Sequence, residues 1–130
     1  MAQLKIDYIR VNTFKPKEQL AEIEISFYKD DKQELIKKEY LLKNPLGLLR
    51  KMLLDIKSKD RIIFDDPTLD PVEMLKIYSP VLIKDEEETE EKIFNFIKGL
   101  CGKAHYMKTT KDAKTHMKLF DEFKTASLKF

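Results

Sequence analysis

Two hydrophobic periods divide the chain near Asn44. Before it, apolar residues tend to recur at every second position, the repeat of a strand; after it, they recur every three to four, the repeat of a helix. Leu4, Ile6 and Tyr8 alternate with Lys5 and Asp7, and the run continues through Arg10, Asn12 and Phe14. This predicts a long first strand, bulged near Tyr8–Ile9, that Pro16 ends. Ala21, Ile23, Ile25 and Phe27 alternate with Glu22, Glu24, Ser26 and Tyr28. The second strand should therefore have one apolar face and one wet face. Lys29–Lys32 reads as a turn. Glu34–Leu42 reads as the returning arm of a hairpin, although Leu35 and Ile36 interrupt its alternation.

Asn44-Pro45 opens a helix, because Asn accepts from free N–H groups of the first turn and Pro is tolerated at the first position. Leu46, Leu49, Met52, Leu53 and Ile56 form its apolar stripe. Arg61–Phe64 reads as a short buried strand, and Val81–Ile83 as a second short apolar run. Between them, Asp70-Pro71 with Glu73 repeats a helix-start pattern, leading into Met74, Leu75 and Tyr78 before Pro80. Ile93, Phe94, Ile97, Leu100 and Cys101 make a further helical stripe, with Gly102 as its expected C-terminal cap. A last helix is expected from near Thr110 to near Thr125. Met117, Phe120 and Phe123 lie on its apolar side, and Lys111, Lys114 and Lys118 lie opposite.

Strands first and helices afterwards predict an α+β fold, with an N-terminal antiparallel sheet of about three strands and one face covered by about four helices from the C-terminal two thirds. The expected core holds Ile23, Ile25, Phe27, Leu49, Met52, Leu53, Phe94, Ile97 and Phe120. The length of 130 residues fits one domain over residues 1–130.

Composition sharpens this in three ways. Charged residues make up 37% of the chain, against about 25% in an ordinary globular protein. The positive charge is nearly all lysine, with arginine only at 10, 50 and 61. Cys101 is the single cysteine, so no internal disulfide forms, which fits a reducing compartment. No signal-peptide pattern opens the chain, and no apolar run approaches the ~20 residues that cross a bilayer. The expectation is a cytoplasmic protein with no membrane partner.

The charge is also unevenly placed. Asp65–Ile97 carries 10 acids against three lysines, a net of −7; Lys98–Phe130 carries eight lysines against three acids, a net of +5. The remaining N-terminal part carries 14 bases and 10 acids. A near-neutral chain divided in this way suggests surfaces of opposite sign. The acidic run Asp85–Glu91, with Glu87, Glu90 and Glu91 able to share a helix face, reads as a solvated helix start that complements the dipole, or as a partner surface. It lacks the fixed six-oxygen set of a hard-cation site. Lys108, Lys111, Lys114 and Lys118 read as a solvated face, a docking surface, or a phosphate-binding stripe. The tail has no arginine for base readout, which weighs against nucleic acid.

Cys101 and His105 stand four apart and, on an unbroken helix, would share a face. That spacing suits a nucleophile with its base, or half of a metal site completed by His116 and an acid. Gly102 between them, and the place of Cys101 in the apolar stripe, favour a structural thiol. Asp65-Asp66 at the end of an apolar run invites a strand-end carboxylate reading, but Pro67 makes a turn simpler. Glu22 and Glu24 are expected to pair with Lys37 or Lys38 across the hairpin. No phosphate-cradling glycine loop, nucleophile elbow or di-iron spacing occurs. No cofactor, metal or catalytic residue is therefore assigned. The function expected is a non-catalytic protein-interaction or regulatory module, whose partner is another protein or a second copy. The alternatives are a nucleic-acid-associated protein using the lysine face, and a small enzyme or metal site at Cys101/His105.

Overall fold

A computed structural model describes residues 3–58 and 82–130. Strands β1 (Gln3–Lys15), β2 (Leu20–Lys29) and β3 (Lys32–Leu41) are followed by helix α1 (Pro45–Ser58). Strand β4 (Leu82–Ile83), helices α2 (Glu86–Thr109) and α3 (Ala113–Thr125), and strand β5 (Ser127–Lys129) complete the order. The three long strands form an antiparallel meander, β3-β2-β1. The other edge of β1 is shared: β4 pairs with it in parallel at Gln3–Leu4, and β5 antiparallel at Tyr8–Arg10.

The inward residues of β1 are Leu4, Ile6, Ile9, Val11 and Phe14, all buried. Steps of three cannot keep a strand residue on one face unless the strand bulges. The register shifts between Ile6 and Tyr8 and between Val11 and Thr13. One bulge thus falls a residue earlier than expected, and a second restores Phe14 to the core. The hairpin to β3 turns on Asp30, whose φ of 55 uses the tolerance of aspartate for the left-handed region.

On β2 the apolar face is as read, with Ala21, Ile23, Ile25 and Phe27 at most 1% exposed. Its opposite face is not simply wet, since Glu24 and Ser26 are also buried.

Asn44 caps α1 as expected: its Oδ1 accepts from the Gly47 amide at 3.3 Å and its carbonyl from Leu48 at 2.9 Å. The apolar stripe is rotated slightly. Leu46 is exposed, and Leu48 joins Leu49, Met52, Leu53 and Ile56 in the core. A polar clamp ties α1 to β3. The hydroxyl of buried Tyr40 donates to Asp55 Oδ2 at 2.7 Å, and Lys38 pairs with the same oxygen at 3.3 Å. Lys38 therefore serves α1, on the face of the sheet opposite Glu22 and Glu24.

Helix α2 does not stop at Gly102. It runs on through Ala104 and Met107, both buried, because these continue the stripe of Ile93, Ile97, Leu100 and Cys101. Helix propensity at a single glycine is worth about 1 kcal/mol, less than burying a methionine side chain. Helix α3 anchors through Phe123, whose ring stacks on Phe14 with centroids 4.0 Å apart. Phe120 and Phe94, expected in the core, are half-buried against it, and Met117 is exposed. Inward residues of the sheet and of all three helices join one apolar cluster.

The architecture is α+β, with three helices among the described residues where about four were expected. The expected strand at Arg61–Phe64 and helix at Asp70–Tyr78 lie outside the described residues, as does Asp65-Asp66. Strand β5 was not anticipated. Among the described residues no helix is long and apolar enough to cross a membrane.

Candidate functional site

The two charged stretches sit at opposite ends of α2. The acids fill its first turn, with Glu86, Glu87 and Glu88, while Lys108 lies in its last. At 1.5 Å per residue the helix separates Glu87 from Lys108 by about 30 Å. The acidic run does not fold over the lysines.

At the acidic end, Glu86 pairs with Lys57 of α1 at 2.8 Å, and this bridge fastens α2 to α1. Glu90 is half-buried, and its carboxyl is pushed up by burial and by the neighbouring Glu86. Glu87 and Glu91 are exposed. Among the described residues no group of three or more histidine, cysteine or carboxylate side chains is placed to hold a metal ion.

At the basic end, α2 and α3 meet in a corner. Lys111 belongs to the connection rather than to α3, so it does not share a helical face with Lys114 and Lys118 as expected. Asp112 caps α3, accepting from the Lys114 amide at 3.2 Å and the Thr115 hydroxyl at 2.7 Å. These bonds, Thr115 first, hold its carboxyl below the ordinary range. His116 Nε2 hydrogen-bonds the Thr110 carbonyl at 2.7 Å and braces the corner.

Lys108, Lys111, Lys114 and Lys118 are all exposed, and none forms an ion pair with a described residue. The two helices that meet here also expose two large apolar side chains, Tyr106 of α2 at 53% and Met117 of α3 at 69%. Tyr106 was missed in the sequence because the helix was expected to end before it.

The unbroken helix does place Cys101 and His105 on one side, beside a shallow hollow with Gln19, Leu42, Lys43 and Lys108. Cys101 is buried and His105 exposed, and no hydrogen bond joins them. Burial pushes the thiol up to about 11, so it is not a thiolate at neutral pH.

A third constellation lies on the outer face of the sheet, and the sequence only half disclosed it. Glu24 of β2 is 2% exposed. It accepts a short hydrogen bond from the Tyr8 hydroxyl. It also meets Arg10 Nη2 at 2.9 Å, Asn12 Nδ2 at 3.3 Å and Lys37 Nζ at 3.7 Å. The hydrogen bond from Tyr8 contributes most to holding the Glu24 carboxyl below its ordinary value, and Asn12 and Arg10 add to it. The same bond pushes the Tyr8 hydroxyl up. The pairing with Lys37 was legible from the hairpin. The partners from β1 were not, because its bulges reset which residues face Glu24. No protein-family model, curated protein or solved structure matches the chain.

Proposed function

We propose that the chain is a non-catalytic cytoplasmic interaction module that docks an acidic protein partner on the α2–α3 corner. The supporting observation is the make-up of that corner: Tyr106 and Met117 are exposed on its two helices, and its four lysines are exposed with no ion pair to a described residue. Protein interfaces combine apolar anchors with a polar rim, and charge complementarity selects the partner. The exposed Tyr106 ring also favours a second reading, in which a nucleic-acid base stacks on it while lysines meet phosphates. An enzyme at Cys101/His105 gains little support from a protonated thiol that does not bond its neighbour.

The test is a fluorescence titration with a labelled peptide of alternating glutamate and leucine, alongside labelled duplex DNA and single-stranded RNA. The acidic peptide should bind, and the Lys108, Lys111, Lys114 and Lys118→Gln variant should weaken it by about tenfold or more. Tyr106→Ala should weaken it further. Tighter binding of nucleic acid than of peptide, lost in the same variant, would overturn the reading. Concentration-dependent sedimentation that the variant abolishes would make the acidic partner a second copy, its Asp85–Glu91 end meeting this corner.

A further inference from the structure

We propose that the outer face of the sheet carries a second, separate site, for a small anion bearing a phosphate group. Beside the Glu24 network lies an open hollow of about 470 Å³, lined in part by Tyr8, Arg10, Lys124, Thr125, Ser127 and Lys129. Pairing of β5 with β1 sets Lys129 opposite Tyr8 and Ser127 opposite Arg10, so strand and tail contribute to one surface. No carboxylate lines the hollow, whereas three cationic side chains do.

Arg10 is the organising residue. Its side chain is 52% exposed, yet it is not loose. Glu24 holds one end of the guanidinium at 2.9 Å, and its Cζ sits 5.4 Å from the centroid of the Tyr8 ring. A guanidinium carries five N–H donors in a rigid fork, so donors remain for a ligand. An arginine fixed in this way has already lost its rotamer freedom, and a fixed fork is what bidentate phosphate recognition uses.

The two lysines add charge, although the Lys124 ammonium also lies over the Phe120 ring, 5.0 Å from its centroid. Lys129 has no ion pair with a described residue, and the only such partner of Lys124, Asp121, is distant at 3.8 Å and exposed. The Ser127 hydroxyl makes no hydrogen bond within the described structure and can donate. A single carboxylate on a ligand would occupy one arginine; three cations and a hydroxyl suit a doubly charged phosphate. The volume falls in the lower part of the range for small-molecule sites, about 300–1,000 Å³.

Glu24 is here a positioning residue, and this separates the proposal from simple charge attraction. Removing its negative charge beside a basic hollow would strengthen an unstructured electrostatic site. Removing the group that orients Arg10 would weaken a built one.

The experiment is a two-dimensional amide NMR titration of the full chain with inorganic phosphate, ribose 5-phosphate and ribose. Both phosphates should shift amides in the 8–10 and 124–129 segments saturably, and ribose should not. Arg10→Lys keeps the charge on an exposed side chain and should lower affinity about tenfold through loss of the fork. Glu24→Gln, checked for retained amide dispersion, should also lower it. Tighter binding of ribose 5-phosphate than of inorganic phosphate identifies an ester as the ligand, and equal binding identifies free phosphate. Quadruple substitution of the corner lysines should leave these titrations unchanged, so this site and the docking corner fail or stand separately. No saturable shift, or wild-type affinity in Arg10→Lys, overturns the proposal.

Discussion

The thiol of Cys101 illustrates how burial decides the chemistry of a side chain. It lies among Ile97, Leu100 and Ala104 on the core side of α2, where the charged form loses its hydration. With its pKa raised from 9.0 to about 11, the thiolate fraction at neutral pH falls by about a hundredfold. Alkylation by iodoacetamide in the native protein should be slower than that of a small thiol by at least this factor. A rate matching the small thiol would place Cys101 at the surface. Glu24 obeys the opposite rule, because its partners favour the charged form more than burial disfavours it. Its carboxyl sits below the ordinary 4.5, so it stays ionised in the folded chain to lower pH than in the unfolded one. Its stabilising contribution is therefore complete above 4.5 and is lost as pH falls through the folded value. Denaturant melts of wild type and Glu24→Gln across that window should show a stability gap that closes in acid. A gap independent of pH would mean that the ionised form is not what Tyr8, Arg10 and Asn12 hold.

At the scale of elements, α2 is longer than its local signals imply. Gly99 and Gly102 lie on its exposed side, and a Cβ built at either meets nothing within 4 Å. Gly99→Ala and Gly102→Ala should each stabilise the protein by about 0.5–1 kcal/mol, since each glycine carries an entropic cost with no packing reason for it. The check is the thermal midpoint, which should rise by about 2–5 °C per substitution. A fall would show that the helix breaks there after all. The meander and the capped start of α1 were legible because each rests on local chemistry: alternation in Ala21–Phe27, and Asn44 before Pro45. The C-terminal limit of α2 was not, because glycine is a weak stop when Ala104 and Met107 continue an apolar stripe. Strand β5 was not legible either. Three residues carry no period, and Ser127–Lys129 becomes a strand only because β1 offers an unpaired edge. The candidate sites follow the same division. The four corner lysines could be named from charge alone, but Tyr106 depended on where α2 ended, and Met117, read onto the apolar side of the last helix, faces solvent instead. The partners of Glu24 depended on bulges at Asp7 and Asn12, of which the period-two reading places the first only approximately and the second not at all.

For the whole molecule, the consequence of the fold is that opposite charges are held apart. A helix of 24 residues spans about 36 Å, several times the Debye length of about 8 Å at physiological salt. Each end therefore presents its own field to solvent, and the acids do not shield the corner. Repulsion by Asp85–Glu91 therefore gives no reason for weak nucleic-acid binding at the corner, but the lack of arginine does. The corner has four lysines and no arginine. Lysine offers a hydrated point charge without a bidentate fork, and a single tyrosine provides one stacking platform rather than a track. If all four lysines met phosphates, the log–log dependence of affinity on salt would have a slope of about −3 to −4. Binding of random duplex or single-stranded nucleic acid at physiological salt should still be weak, with Kd around 10⁻⁴ M or poorer. Titrations at two salt concentrations, with the quadruple Lys→Gln variant alongside, measure both quantities. The acidic peptide should lose affinity with salt less steeply, because binding it releases no condensed counterions and part of its contact is apolar, on Tyr106 and Met117. Sub-micromolar binding of nucleic acid with the full slope, abolished in the variant, would assign the corner to phosphate backbones instead.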